Sequence, residues 1–173
     1  MDAKTRQPLA ATSRFVDAGG LRLHYLDYGG AGGLPLLCVH GGAAHAHWYD
    51  YFAGEFTRDF HVRALDLRGH GDSAWSEPPD YTTARIAADI HEVTERLDLR
   101  DFLLVAHSMG GQIALHYAAH HPGRLGRLVV VDSTLRLSPE RLALMHARGA
   151  RQSSYGTLDD LVERYKLMPA GST

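Results

Sequence analysis

Four short apolar runs limit how this chain can fold. They are Pro35 to His40 (PLLCVH), Phe60 to Asp66 (FHVRALD), Phe102 to His107 (FLLVAH) and Leu128 to Asp132 (LVVVD), and the first, third and fourth are almost unbroken. A strand that is apolar on both faces must be covered on both faces, which a parallel sheet between two helical layers provides. Between the runs lie segments of helical period. Thr82 to Leu97 sets Ile86, Ile90, Val93 and Leu97 along one amphipathic face, with charges between them. Gly111 to His120 carries Ile113, Ala114 and Tyr117 and is stopped by Pro122. Trp48 to Phe56 reads as a shorter, aromatic-rich helix. Strand, helix and strand in repetition mean an α/β fold: a mostly parallel sheet with helices on both faces and right-handed crossovers.

The two ends read differently. Arg14 to Ala18 and Leu21 to Tyr28 form a hairpin joined at Gly19-Gly20, and the second strand alternates apolar with polar as a half-exposed antiparallel strand does. After Thr134, Ser138-Pro139-Glu140 and Thr157-Leu158-Asp159-Asp160 are two helix starts with no strand behind them. Residues 1–134 are therefore expected to form the sheet core and residues 135–173 to begin a helical cap.

Composition narrows the partners. The chain has 173 residues, 45% of them apolar and 22% charged, the size and balance of one globular domain. Its 18 Lys and Arg against 20 Asp and Glu leave a net charge of −2. That gives no basic footprint for nucleic acid or an anionic membrane, so the expected partner is a small-molecule substrate. No stretch of about 18 apolar residues is present, nor an apolar signal core near the start. Cys38 is the only cysteine, which rules out an internal disulfide and a cysteine zinc site and fits a reducing cytoplasm. His45 and His47 lie near His40 in sequence, but neither a carboxylate-rich strand end nor an H-E-x-x-H helix accompanies them, so no metal and no cofactor is expected. Nothing in the sequence speaks to oligomeric state.

The segment Val105-Ala106-His107-Ser108-Met109-Gly110-Gly111 runs from a buried strand straight through a serine into a helix. A nucleophile elbow needs that order. Its turn is tight enough to strain the serine and expose its hydroxyl, and only small residues two before and two after it avoid collision. Here those residues are Ala106 and Gly110. A second element, Cys38-Val39-His40-Gly41-Gly42, follows another central strand. Acyl transfer builds negative charge on the substrate oxygen, and two preorganised N–H donors stabilise it. Met109, at the start of a helix, and Gly42 are the candidate donors. Ser108 is the candidate nucleophile, and His40, Gly41 and His107 are candidate pocket residues.

On three elements in order, the chain resembles the α/β-hydrolase superfamily in its serine-nucleophile members: His40-Gly41-Gly42, Asp66-Leu67-Arg68-Gly69-His70-Gly71-Asp72-Ser73, and Ala106-His107-Ser108-Met109-Gly110-Gly111. The resemblance covers residues 13 to 135 or so. It implies an oxyanion loop, a sharp turn after the fourth strand braced by Asp66 and His70, and the elbow. It also implies a sheet of about eight strands, roughly six of them in this chain, and a helical lid beginning after Thr134.

The resemblance further implies a base: a histidine after the last strand, far beyond the serine. Only His116, His120, His121 and His146 follow Ser108, and none ends a strand. The acid is Asp132, after the sixth strand, or a later residue. The chain therefore reads as the N-terminal part of an enzyme of about 260 to 300 residues, with its catalytic histidine beyond residue 173. The expected activity is hydrolysis of a small carboxylic ester, lactone or related carbonyl compound through an acyl-enzyme. Epoxide and halide chemistry, by the same resemblance, uses an aspartate at the elbow, which Ser108 argues against. Carbon–carbon bond hydrolysis, cofactor-free peroxidation, and a non-catalytic binding or receptor role on the same fold are the alternatives.

Overall fold

The computed structural model describes residues 9–30, 32–134, 140 and 157. The chain divides into two compact units, Met1–Thr134 and Leu135–Thr173. The two helices expected in the second unit lie outside the described residues.

The first unit is built on a six-stranded sheet of order β1-β2-β4-β3-β5-β6. The strands are β1 (Thr12–Ala18), β2 (Leu21–Gly29), β3 (Leu34–Val39), β4 (Phe60–Leu65), β5 (Phe102–His107) and β6 (Leu125–Val131). β1 pairs antiparallel with β2, and β2 antiparallel with β4. β4, β3, β5 and β6 run parallel. The expected mostly parallel sheet with an antiparallel opening hairpin is present.

Period-two alternation divides the central strands between two cores. Leu37, Val39, Leu65 and Leu104 face one side, where helix α2 (Thr83–Arg96) contributes Ile90 and Val93, and helix α3 (Met109–His120) contributes Ile113 and Tyr117. Leu36, Cys38, Val62 and Ala64 face the other side, under Ala46, Tyr49 and Ala53. Burying each large aliphatic side chain here contributes about 1.5–3 kcal/mol, which is why continuous apolar runs occupy the sheet centre. Cys38 is fully buried, and burial pushes its thiol pKa well above the ordinary range.

Helix α2 starts where the sequence places it. Thr82 has extended backbone (φ −65°, ψ 149°), and its hydroxyl accepts a hydrogen bond from the Arg85 amide at 3.3 Å. Thr82→Ala leaves that amide unpaired and is expected to lower stability by about 1 kcal/mol, read as a shift in the urea unfolding midpoint with the slope unchanged.

Three expectations need correction. The helix expected over Trp48 to Phe56 is a 3-10 turn, Ala46–Tyr49, followed by a single α-turn, Asp50–Ala53, labelled α1. The Trp48 amide bonds to His45 O at 3.0 Å, and the Tyr49 and Tyr28 hydroxyls are tied to Val39 O and Asp50 Oδ1, so tertiary anchors fix a tighter turn than an α-helix. β2 is not half-exposed. His24, a polar residue of the alternation, is 1% exposed because its ring has partners inside. β6 begins at Leu125 rather than Leu128, with a register shift between Phe102 and Leu103 of β5 admitting Gly126. As the outermost strand it leaves Val129 and Val131 exposed.

Candidate active site

The site is organised by the junction of β5 and α3. Ser108 falls between them with φ +51° and ψ −117°, a left-handed φ that a side-chain-bearing residue adopts only when its surroundings enforce it. Several contacts do so. The Ser108 amide donates to Val131 O at 3.0 Å, and its carbonyl accepts from the Ser133 hydroxyl at 2.6 Å and from the Gly111 amide at 3.0 Å. The Gln112 side-chain amide donates to Thr134 O at 2.8 Å, fixing the same loop to α3.

Close packing explains the small residues. A Cβ at Gly110 would lie 2.4 Å from His40 O and 2.8 Å from Val39 O, both backbone atoms that cannot yield cheaply. At Gly111 it would lie 2.6 Å from Ser133 Oγ. Ala106 is fully buried. The sequence pattern signals this crowding. It carries no signal for Ser133, which is recognisable only once β6 is laid beside β5.

The loop after β3 comes against the elbow. A Cβ at Gly41 would sit 3.0 Å from Ser108 Cβ and 2.9 Å from His107 Nδ1, so only glycine lets the loop approach. A Cβ at Gly42 would be 3.7 Å from Met109 Sδ. Gly41, Gly42, His107, Ser108 and Met109 therefore gather in one place. The Met109 amide opens α3 and is among those a helix leaves without an intrahelical acceptor.

His40 does not join them. Expected at the pocket wall, it is instead fully buried, and the protein uses both ring nitrogens. Nε2 accepts from the Leu67 amide at 3.1 Å, which leaves Nδ1 as the protonated nitrogen donating to Gly41 O at 2.8 Å. Burial lowers its pKa to about 4, against the raising effect of the Gly41 carbonyl. His40 is thus a neutral strut between the β3 and β4 loops. His107 lies flat on Trp48, with ring centroids 5.5 Å apart and 15° between planes, and its buried Nδ1 has no hydrogen-bond partner. The two rings, with Tyr49, Phe52, Val105 and Val131, line an open cleft of about 170 Å³. Trp48 and Tyr51 are each 60% exposed.

The turn after β4 is braced as expected. Gly69 and Gly71 take φ +70° and +50°, and a Cβ at Gly71 would meet the Asp66 carboxylate. Asp66 accepts from the Ala46 amide at 2.5 Å, the Asp72 amide at 3.0 Å and His24 Nδ1 at 2.7 Å. His70 Nδ1 donates to Arg68 O at 3.0 Å. Asp132, immediately after β6, is exposed with φ +46°. Among the described residues no histidine is hydrogen-bonded to the Ser108 hydroxyl, and no group of three or more His, Cys, Asp or Glu is arranged to hold a metal ion. No helix among them is long and apolar enough to cross a membrane.

The chain is similar to known proteins. N-formylmaleamate deformylase of Pseudomonas putida is 35% identical over 150 residues, covering 84% of this chain and 55% of the relative. Epoxide hydrolase 3 of Mus musculus is 30% identical over 141 residues, covering 81% of this chain and 38% of the relative. The solved structure of a lipase (described as putative) from Acinetobacter baumannii superposes with a TM-score of 0.75 at 25% identity, over 88% of this chain and 53% of that one. The chain spans about half the length, or less, of the curated relatives it matches. The family model described as alpha/beta hydrolase fold matches residues 35–164, from β3 through the elbow and beyond β6. With that match and the deformylase likeness over most of its length, this chain belongs to the alpha/beta hydrolase fold family.

Proposed function

We propose that this chain carries the nucleophile and the oxyanion donors of a serine hydrolase for a small carboxylic ester, lactone or related carbonyl compound. The observation that carries this reading is the strained backbone of Ser108, φ +51°, at the end of a buried strand and the start of a helix. Ser108 Oγ attacks the carbonyl carbon, and the Gly42 and Met109 amides receive the developing oxyanion, with the positive end of α3 behind the second of them. Two features support the donor pair: the closeness of Gly42 to Met109 and of Gly41 to Ser108. Removing one such donor costs on the order of 3 kcal/mol of transition-state stabilisation where it has been tested.

Serine needs a base, and among the described residues no histidine is hydrogen-bonded to the Ser108 hydroxyl, so the reading assigns that role to a histidine outside them, expected beyond residue 173. The acid that orients it is Asp132 or a later residue. The relatives' names include a deformylase, a carbamate hydrolase and a monoacylglycerol lipase, but also epoxide hydrolases, so the names do not choose between acyl chemistry and epoxide opening. The serine at the elbow is what supports acyl chemistry. The Trp48–His107 cleft offers an apolar wall beside the nucleophile for the acyl or leaving group.

The experiment is covalent labelling with a fluorophosphonate followed by peptide mass spectrometry. The label is expected on Ser108 and lost from that peptide in Ser108→Ala. A folded chain, extended through the later strands, whose Ser108 takes no label would refute the reading and favour a binding role.

A further inference from the structure

The single Ser–His–Asp hydrogen-bond chain among the described residues is not at the elbow. It lies at the opposite margin of the sheet from β5 and β6. Ser13 Oγ on β1 is 2.8 Å from His24 Nε2 on β2, and His24 Nδ1 is 2.7 Å from Asp66 Oδ2 at the end of β4. With the Asp66 carboxylate accepting from Nδ1, the tautomer that fits both contacts presents the Nε2 lone pair to Ser13. The serine hydroxyl is therefore the donor. This is the connectivity of nucleophile, base and orienting acid.

The base is held rigidly. The His24 amide donates to Ser73 Oγ at 2.8 Å, its carbonyl accepts from the Asp66 amide at 2.9 Å, and its ring packs against Phe15 at 5.1 Å between centroids. His24 and Asp66 are 1% and 2% exposed, whereas Ser13 is exposed on an edge strand. A solvent-facing hydroxyl is thus coupled to a buried, preoriented imidazole, while the elbow serine has no such partner within the described residues.

We infer that Ser13 is a second nucleophile, independent of the elbow, taking small activated acyl or phosphonyl electrophiles. Its place on an open strand makes electrophilicity, rather than shape, the basis of selection. Ser13 Oγ bonds to the carbonyl or phosphorus centre, its proton passes to His24 Nε2, and the leaving group departs with its electron pair. With a fluorophosphonate, the P–F bond breaks, fluoride leaves, and the proton moves from His24 to solvent. A hydroxyl that merely satisfied a buried ring nitrogen would show the same distances and no heightened reactivity.

Fluorophosphonate labelling of the full 173-residue Ser108→Ala chain separates the two cases. The internal reference is Ser76, whose hydroxyl donates to Pro78 O at 2.7 Å instead of to a histidine. Label is expected on the Ser13 peptide at about tenfold or more over Ser76, a conservative figure for a positioned general base. It is expected to vanish in the Ser13→Ala/Ser108→Ala chain. In urea the ratio is expected to fall to about one, since unfolding parts Ser13 from its base. A ratio near one in the folded chain, or a high ratio that survives unfolding, overturns the inference. Ser108 and Ser13 are read on different peptides, so either assignment can fail without the other.

Discussion

Replacing Asp89 with alanine is expected to destabilise the fold by about 3–5 kcal/mol, the range for removing one partner of a buried ion pair. Arg68 and Asp89 are 2% and 1% exposed, and the guanidinium grips the carboxylate with two bonds, Nε to Oδ2 at 2.5 Å and Nη2 to Oδ1 at 2.7 Å. Its remaining nitrogen, Nη1, donates to Asp80 O at 2.8 Å and so ties down the segment before α2. Burial raises the Asp89 carboxyl pKa even with the guanidinium beside it. Removing the carboxylate strands the cation in the core. Urea denaturation of Asp89→Ala measures the loss, and the double variant Arg68→Met/Asp89→Leu is expected to recover most of it, because an apolar pair needs no counter-charge. A single-variant loss below about 1 kcal/mol would mean that water reaches the guanidinium.

Acid should weaken the fold through His40 before it reaches the carboxylates. In the unfolded chain this ring takes up a proton near pH 6.5. In the fold, burial, with a smaller contribution from nearby His70, holds it neutral down to about 4. The unfolded state then binds more protons between those values. Stability is fully present above about pH 6.5 and falls as the pH drops toward 4, by about 3 kcal/mol in total. His121, also lowered by burial, adds in the same direction. The depressed carboxyls of Asp27, Asp59 and Asp80 contribute only at lower pH. Unfolding free energies measured in urea from pH 7 to 4.5 therefore report the imidazoles against the raised Asp89 carboxyl, which works in the opposite direction, and stability that rises toward acid would contradict the burial of His40.

The sheet and the elbow were legible in the sequence because each rests on a local pattern. β5 is a continuous apolar run ended by His107-Ser108, and its bounds match the expectation. The hairpin is punctuated by Gly19-Gly20, both at positive φ. Partnerships between distant polar residues were not legible. Asp89 stands three residues after Ile86 and four before Val93, on the apolar stripe of α2, so a charge at a core position was visible in principle. Its partner Arg68, twenty-one residues earlier, gave no such sign. His24 was misjudged for the same reason. Alternation predicts a polar residue facing water, and nothing local announces that Asp66 and Ser13 close around it. His40 followed suit, its adjacency to two glycines suggesting a pocket where the fold instead uses it as a strut.

Apart from its own helix, every bond among the described residues that holds the backbone of Ser108 comes from Val131 and Ser133, at and just after the end of β6. The elbow's tension is thus anchored at the edge strand of the described sheet. Whatever lies alongside β6 acts as a buttress for that anchor, and fraying of this one border would let the turn relax while the rest of the sheet stayed intact.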